Sequence, residues 1–232
     1  MDKRAVFFGA IGAVAETSDI QRRAYNQALD QCGVGWRWDE DTYRDLLAIV
    51  GGRDRLSLLG RATGQPLTED TIAKVHTLKT EIACKEVRDT RPPLRPGVAA
   101  LLSAARGAGL KTAFVTSTAR DNIDAILDAT DLGPAAFDHI VDRDSVAAGK
   151  PDPAPYFAAL EALGLSPHEA LAVEDTAASV ASAKRAGITV IATPGAYTND
   201  QDFFEADLVL PGLAADGTLD PRVADLLGRA AA

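Results

Sequence analysis

The feature that most constrains the fold is a repeated alternation between short apolar runs and stretches with helical periodicity. The apolar runs are typical of β-strands and lie near Val6, Phe114, Ile140, Val173, Ile191 and Val209. Between them, stretches such as residues 98–105 place apolar side chains at i, i+3, i+4 and i+7, on one face of a helix. Strands that alternate with helices predict an α/β fold with a mostly parallel sheet covered on both faces.

One region, from about residue 17 to residue 90, lacks this alternation. It shows only helical patterns, around residues 20–32, 40–49, 53–63 and 69–88. Three prolines in the stretch TRPPLRPG mark its end, because proline cannot continue a helix. The predicted organisation is a Rossmann-like core of residues 1–15 and 92–232, with an all-helical cap of residues 16–91 inserted after the first strand.

Length and charge restrict the class of protein and its partners. The chain has 232 residues, enough for one α/β domain with a smaller insert, and a net charge of −9. A negative charge argues against nucleic acid or an anionic membrane as a partner, so an anionic substrate would need a local cationic site. No apolar segment is long enough to span a bilayer and none resembles a signal peptide, so we expect a cytoplasmic protein.

The cysteines and histidines give no metal-binding pattern. Cys32 and Cys84 lack the spacing of thiolate ligands and are expected to be ordinary thiols in a reducing compartment. The three histidines, among them His76, are too far apart in the pattern to suggest a metal cluster. Each histidine is expected at a surface or at the edge of an element.

Polar residues follow several predicted strands, at the edge where ligands bind in open α/β sheets. Thr116 and Ser117 precede a helix, where hydroxyl and backbone N–H groups suit a phosphate. Lys150 lies in GKPDP, whose prolines stiffen the turn and could aim the ammonium group at one spot. Glu174 and Asp175 follow an apolar strand, and paired carboxylates suit a hard cation such as Mg²⁺.

Each of these signals has a structural alternative. Serine and threonine are favoured at helix N-caps, so Thr116 or Ser117 could cap the following helix. A lysine such as Lys150 is more often a solvated surface charge. Asp175 could stabilise the start of the next helix rather than bind a metal. The residue types alone leave these alternatives open.

In combination, the hydroxyls, the lysine and the acidic pair occur in the order found in the haloacid dehalogenase (HAD) superfamily of phosphate-handling hydrolases. Further short sequence motifs shared with that superfamily are AET at 15–17, LRPG at 94–97, GKPDP at 149–153 and PGAYT at 194–198. The chain resembles the β-phosphoglucomutase-like branch of that superfamily, and most of all CbbY-type xylulose bisphosphate phosphatases. The resemblance spans nearly the whole chain and implies a helical cap, Mg²⁺ as cofactor, and phosphate or a sugar phosphate as ligand.

The first strand departs from the family pattern at its two reactive positions. In the family this strand ends in Asp-x-Asp-Gly, where the first aspartate attacks phosphorus and binds Mg²⁺ and the second acts as general acid and base. Aligning FFGAIGAVAET on that pattern puts Gly9 at the nucleophile, Ile11 at the acid/base and Gly12 on the retained glycine. Glycine cannot form an acyl phosphate, so the covalent route is closed. The metal site is also weakened, because only Glu174 and Asp175 remain.

The resemblance also assigns residues of the predicted cap. Glu16 is retained and is expected to be a substrate contact or a structural contact, whereas Ser18 and Gln21 replace the corresponding residues of the family. Arg53, in GGRDR, keeps a cation where the family's cap presents one to the substrate phosphate or sugar.

These residues predict a catalytically impaired member of the family. We expect it to bind phosphate or a sugar phosphate without turnover, through Thr116, Ser117 and Lys150, or to serve a regulatory protein partner. The alternative is an active Mg²⁺-dependent sugar-phosphate phosphatase, in which a water held by the metal on Glu174 and Asp175 attacks phosphorus directly. A pure protein-interaction module is a third class, and it would need an exposed apolar patch.

Overall fold

The computed structural model describes residues 2–215 and 217–228 and contains the predicted parallel sheet. The strands are β1 (Ala5–Phe8), β2 (Lys111–Val115), β3 (His139–Val141), β4 (Ala170–Glu174), β5 (Thr189–Ala192) and β6 (Leu208–Val209). They pair in the order β3-β2-β1-β4-β5-β6, and every pairing is parallel. The six predicted strands and the α/β fold class are therefore confirmed.

The segment between β1 and β2 begins with four helices. They are α1 (Ser18–Gln31), α2 (Glu40–Leu46), α3 (Gly52–Ala62) and α4 (Glu69–Thr90). Their shared core is rich in aromatic residues, with Tyr25 packed against Trp38 at a centroid distance of 4.6 Å. We call these four helices the helical insert. Its division from the core at residues 16 and 91 stays a prediction.

The remaining helices cover the two faces of the sheet. They are α5 (Val98–Gly107), α6 (Arg120–Ala129), α7 (Ala154–Leu163), α8 (Ala177–Arg185) and α9 (Pro221–Leu227). A short antiparallel pair, β7 (Ala214–Ala215) and β8 (Thr218–Leu219), precedes α9. None of the helices described here is both long and apolar enough to cross a membrane.

Strand β1 is buried on both faces, which explains its uninterrupted apolar sequence. Val6 and Phe8 belong to the apolar cluster on one face of the sheet, and Phe7 belongs to the cluster on the other face. Such runs are typical of parallel strands with helices on both sides. The chain moves in opposite directions along the sheet from β1, because β2 lies on one side of it and β4 on the other. This topological switch point places a crevice at the carboxyl ends of β1 and β4.

Candidate ligand-binding site

A cavity of about 170 Å³ lies at the carboxyl ends of β1, β2 and β4, between the core and the helical insert. We call it the central cavity. Seven of the nine site residues predicted from the sequence line it: Gly9, Ile11, Thr116, Ser117, Lys150, Glu174 and Asp175. The other two, Glu16 and Arg53, do not line it. The strand ends therefore converge on one cavity, whereas Glu16 and Arg53 lie outside its lining, and their contact with a substrate stays a prediction.

The space beside Gly9 is filled by the side chain of Glu174. A Cβ on residue 9 would lie 2.6 Å from Glu174 Oε2, well inside a normal contact distance. The Gly9 backbone itself is held beside β4, because its N–H donates to the Val173 carbonyl over 3.0 Å. At this strand end the nearest carboxylate therefore comes from β4 and not from β1.

Glu174 is held in place by two donors from the core. Lys150 Nζ lies 2.5 Å from Glu174 Oε1, and the Tyr156 hydroxyl donates to the same oxygen. Lys150 Nζ also donates to the Val115 carbonyl over 2.7 Å. Glu174 and Lys150 are almost completely buried, with 1% and 5% of their surfaces exposed. A paired, hydrogen-bonded arrangement is what keeps such a charge pair tolerable inside a protein. Lys150 is therefore no solvated surface charge.

The hydroxyl groups after β2 do not cap the next helix. The N-cap residue of α6 is Ala119, and no side chain accepts a hydrogen bond from its first turn. Ser117 Oγ instead accepts from the Lys150 backbone N–H over 2.9 Å, and Thr116 Oγ1 accepts from the Thr118 N–H over 3.2 Å. The capping alternative is therefore wrong for Thr116 and Ser117. An uncapped helix start beside a cavity leaves backbone N–H groups for an anion.

Asp175 also has no capping role. The N-cap of α8 is Thr176, whose side chain accepts from the Ser179 N–H over 3.2 Å. Burial raises the pKa of Asp175 well above its ordinary value, and the nearby carboxylates of Glu174 and Glu16 raise it further. Asp175 is therefore a buried carboxyl group with a strong tendency to keep its proton.

This donor set does not fit a divalent cation. Among residues 2–215 and 217–228, no three histidine, cysteine or acidic side chains gather at one point. The Glu174 carboxylate is already paired with the Lys150 ammonium group, and Asp175 adds one further carboxyl group to the lining of the cavity. Gly9 and Ile11 add no side-chain oxygen. Magnesium depends on charged oxygen ligands in octahedral geometry, so the residues present are a poor match for it.

Glu16 fastens the chain after β1 instead of lining the cavity. Its carboxylate accepts from the Ser18 N–H over 2.9 Å and from the Ala196 N–H over 3.2 Å, and it lies 3.7 Å from Arg95. The structural part of the expectation for Glu16 matches these contacts. A contact between Glu16 and a ligand stays a prediction.

Arg53 is replaced in the cavity by Arg55, two residues further along α3. Arg53 is partly exposed and lies 3.4 Å from Glu69, whereas Arg55 is buried and lines the cavity. Residues two apart on a helix point about 200° away from each other, so only one of the two arginines can face inward.

Helix α4 contributes two further residues that the sequence analysis missed. Lys79 and His76 both line the cavity, so the expectation that His76 lies at a surface or an element edge is wrong. Burial and, to a smaller extent, the nearby charge of Lys79 together lower the pKa of His76 to about 4. Lys79 shares a buried helix stripe with Ile72, Val75 and Ala83. The sequence did contain a signal for this position, because Lys79 occupies an apolar position in the helical pattern of α4.

Comparison with known proteins identifies the family to which this geometry belongs. Residues 3–187 match the family model of haloacid dehalogenase-like hydrolases. The chain belongs to this HAD-like hydrolase family. It is 38% identical over 220 residues to the protein CbbY of Rhodobacter capsulatus, covering 94% of this chain and 97% of that protein.

Solved structures of CbbY share the fold of this HAD-like chain. The crystal structure of CbbY from Rhodobacter sphaeroides in complex with phosphate is 36% identical, with a TM-score of 0.86, and covers 90% of this chain and 94% of that one. A mutant of the same protein in complex with xylulose-(1,5)bisphosphate is 36% identical, with a TM-score of 0.87, and covers 94% and 99%. The resemblance found in the sequence is therefore confirmed.

Proposed function

We propose that this HAD-like chain binds a phosphorylated small molecule in the central cavity and does not hydrolyse it through an aspartyl phosphate. The observation that carries the proposal is the end of β1. Gly9 and Ile11 stand at the two positions where the family pattern has aspartates, and the Glu174 carboxylate fills the space beside Gly9. Without a nucleophilic carboxylate at residue 9, the covalent mechanism has no first step.

The charges around the cavity support an anionic ligand. Three cationic side chains line it (Arg55, Arg143 and Lys150) against two carboxylates, and Lys79, whose pKa is lowered to about 7, adds a partial charge. One of these carboxylates, Glu174, is paired with Lys150, and the other belongs to Asp175, whose raised pKa favours its neutral form. The cavity is therefore more positive than the whole chain, whose net charge is −9. Such a local field attracts an anion despite the overall charge.

Hydrogen-bond donors at the strand ends also support binding of a phosphorylated ligand. The start of α6 has no side-chain cap, and the hydroxyls of Thr116 and Ser117 line the cavity beside it. Helix N-termini bind phosphate through free N–H groups and the helix dipole. The phosphate and xylulose-(1,5)bisphosphate in the related CbbY structures agree with this ligand class.

A thermal-shift titration with inorganic phosphate tests the binding half of the proposal. We expect millimolar phosphate to raise the melting temperature, because a ligand that binds only the folded state stabilises it. Arg143→Gln removes an exposed cation from the cavity and should weaken phosphate binding roughly three- to tenfold. Arg61→Gln, an exposed position on α3 outside the cavity, is the matched control and should bind as the wild type does.

The absence of any shift in the wild type would overturn the binding proposal. Equal losses in both arginine variants would place the anion outside the central cavity. The metal-assisted alternative makes a different prediction, which is Mg²⁺-dependent release of phosphate from sugar phosphates that Asp175→Asn abolishes. Such turnover by the wild type would replace the proposed function with that hydrolase.

A further inference from the structure

Lys79 differs from the other lysines of the chain in its lack of a polar partner. Of the seven lysines in the sequence, five pair with a carboxylate, and Lys3 donates to the His168 carbonyl and the Thr189 hydroxyl. Within the described part of the chain, Lys79 has neither a hydrogen bond nor an ion pair. Only 6% of its surface is exposed. The side chain is therefore buried along its length, and its amine lies in the wall of the cavity without a protein partner, where a ligand can reach it.

The surroundings of Lys79 form a small reactive pocket within the insert. Its Nζ lies 4.9 Å from the centroid of the Tyr25 ring. His76 precedes it by three residues on α4, and both side chains line the cavity. A Cβ on Gly52 would lie 2.9 Å from His76 Nε2 and still nearer the Tyr25 hydroxyl, so the glycine makes room for both groups. An amine, an imidazole and a phenol therefore gather on one wall of the cavity.

The protonation states suit a nucleophilic amine. Burial and, to a smaller extent, the positive charge of Arg55 together lower the pKa of Lys79 to about 7, so a substantial fraction of the amine is neutral at pH 7. A pKa of about 4 keeps His76 neutral at that pH, so its ring can pass a proton. Arg55 holds the permanent positive charge here, because its guanidinium donates to the Leu46 and Ile49 carbonyls and has no carboxylate on it.

We propose that Lys79 captures the carbonyl group of the bound ligand as an imine, so that the ligands of the central cavity are phosphorylated aldehydes and ketones. This inference rests on the proposed function, because the phosphate group brings the carbonyl into the cavity. It adds a covalent step that needs neither Gly9 nor Ile11.

The step balances without any further reactant. The lone pair of the neutral Lys79 amine forms a bond to the carbonyl carbon, and the carbonyl π-electrons move to oxygen. A proton leaves nitrogen and reaches that oxygen, carried by the neutral His76 ring on the same wall of the cavity, to give a carbinolamine. A second proton transfer expels the oxygen as water and leaves the C=N bond of the imine. Amine and carbonyl compound become imine and water, and no oxidant or reductant takes part.

Reductive trapping tests the inference on the full chain. Dihydroxyacetone phosphate is the carbonyl probe, sodium cyanoborohydride reduces any imine to a stable secondary amine, and peptide mass spectrometry locates the adduct. We expect one adduct per chain, on Lys79, formed at least about tenfold faster at pH 7 than on the exposed Lys85 of the same helix. Glycerol 3-phosphate, which carries the same anion without a carbonyl, should suppress trapping and form no adduct.

The pH dependence gives a second, independent readout. The titratable or charged groups that act on Lys79 are Arg55 on α3, Tyr25 on α1, and His76 and Cys84 on α4. None of these four is expected to change its charge between pH 6 and pH 8, because the pKa of His76 is about 4 and those of Tyr25 and Cys84 are raised. Trapping at Lys79 should therefore rise from pH 6 to pH 8 and then level off, whereas labelling of exposed lysines should rise up to about pH 10.

Two variants and one binding measurement separate the possible failures. Lys79→Arg keeps a cation but no nucleophilic amine, and Lys79→Met removes both, so each should lose the adduct, while Lys85→Arg should keep it. Adducts spread over exposed lysines, or none on Lys79, would overturn the inference. If glycerol 3-phosphate still raises the melting temperature in that case, the proposed function stands alone. If neither probe raises it, both the inference and the proposed function fail.

Discussion

At the residue scale, Lys79 shows how the chain keeps a reactive group at a cost in stability. Its pKa is about 7 in the folded state, because burial and Arg55 disfavour the charged form, whereas a lysine in the unfolded chain titrates near its model value of 10.5. Between these two values the unfolded state binds more protons than the folded state. The free energy of unfolding therefore rises as the pH increases from about 7 towards 10.5.

Replacing Lys79 by an apolar residue should stabilise the protein at neutral pH. We expect Lys79→Met to raise the free energy of unfolding by about 2–4 kcal/mol at pH 7, and the gain should shrink towards zero near pH 10. Urea denaturation at pH 7 and at pH 9.5 measures the difference. Lys85→Met, on the exposed side of the same helix, is the control and should change stability by less than about 0.5 kcal/mol at either pH. Destabilisation by Lys79→Met at both values would contradict a buried, unpaired charge.

The sequence predicts the core side of the cavity better than the insert side, for a geometric reason. Thr116 follows β2, Lys150 comes in the segment after β3, and Glu174 is the last residue of β4. The carboxyl ends of parallel strands share one edge of the sheet, so the positions of these residues along the chain bring them to that edge. Residues of the insert reach the cavity only through helix rotation and packing. For this reason the sequence did not indicate that Arg55 lines the cavity.

At the element scale, the turn after β1 is closely packed against the carboxyl groups of Glu174 and Asp175 at the end of β4. Gly12 has a φ of +80°, and a Cβ there would collide with the Asp175 carboxyl group. Gly12 is therefore required for two reasons: its backbone has a positive φ, and the Asp175 side chain, just after β4, leaves no room for a Cβ. The retained glycine could be predicted from the aligned motif. The way that Glu174 fills the adjoining space could not, because it depends on the rotamer of a residue more than 160 positions away.

Two glycine substitutions separate the cost of the positive φ from the cost of the collision with Asp175. Gly64→Ala, at a φ of +69° with open space around it, should cost about 1 kcal/mol of unfolding free energy from backbone strain alone. Gly12→Ala adds the collision with Asp175 and should cost about 1–3 kcal/mol more. Chemical denaturation of both variants measures the difference. Equal costs would mean that the Asp175 side chain moves aside freely and that the strand ends are not tightly packed.

At the scale of the whole molecule, the insert is fastened to the core by the loop after β5. Tyr197 in this loop packs edge-on against Tyr43 of α2 at a centroid distance of 5.6 Å. Its hydroxyl donates to Asp19 of α1 over 2.7 Å and accepts from Arg22 over 3.2 Å. Because the cavity is walled by both the core and the insert, this contact helps to set the spacing between its two cationic sides.

Variants of Tyr197 test this fastening. Tyr197→Phe should lower the free energy of unfolding by about 1 kcal/mol through the lost hydroxyl contacts, and Tyr197→Ala by about 3 kcal/mol, because the ring is buried. We also expect Tyr197→Ala to weaken phosphate binding. Phe204→Ala is the control, since that ring is 80% exposed, and it should change neither quantity. Unchanged phosphate binding in Tyr197→Ala would show that the anion is held by the core alone.

The central claim is that the cavity binds a phosphorylated ligand and lacks the two aspartates, at residues 9 and 11, that the aspartyl-phosphate mechanism needs. The most direct test is phosphate release from a panel of sugar phosphates with Mg²⁺, measured for the wild type beside the double variant Gly9→Asp/Ile11→Asp. Gly9→Asn/Ile11→Asn matches its size without the carboxylates. In the aspartate variant the flexible end of Glu174 must swing away from residue 9, where its Oε2 now lies 2.6 Å from the Cβ position. The account predicts no turnover by the wild type or the asparagine variant and measurable turnover by the aspartate variant. Turnover by the wild type that Asp175→Asn abolishes would contradict it.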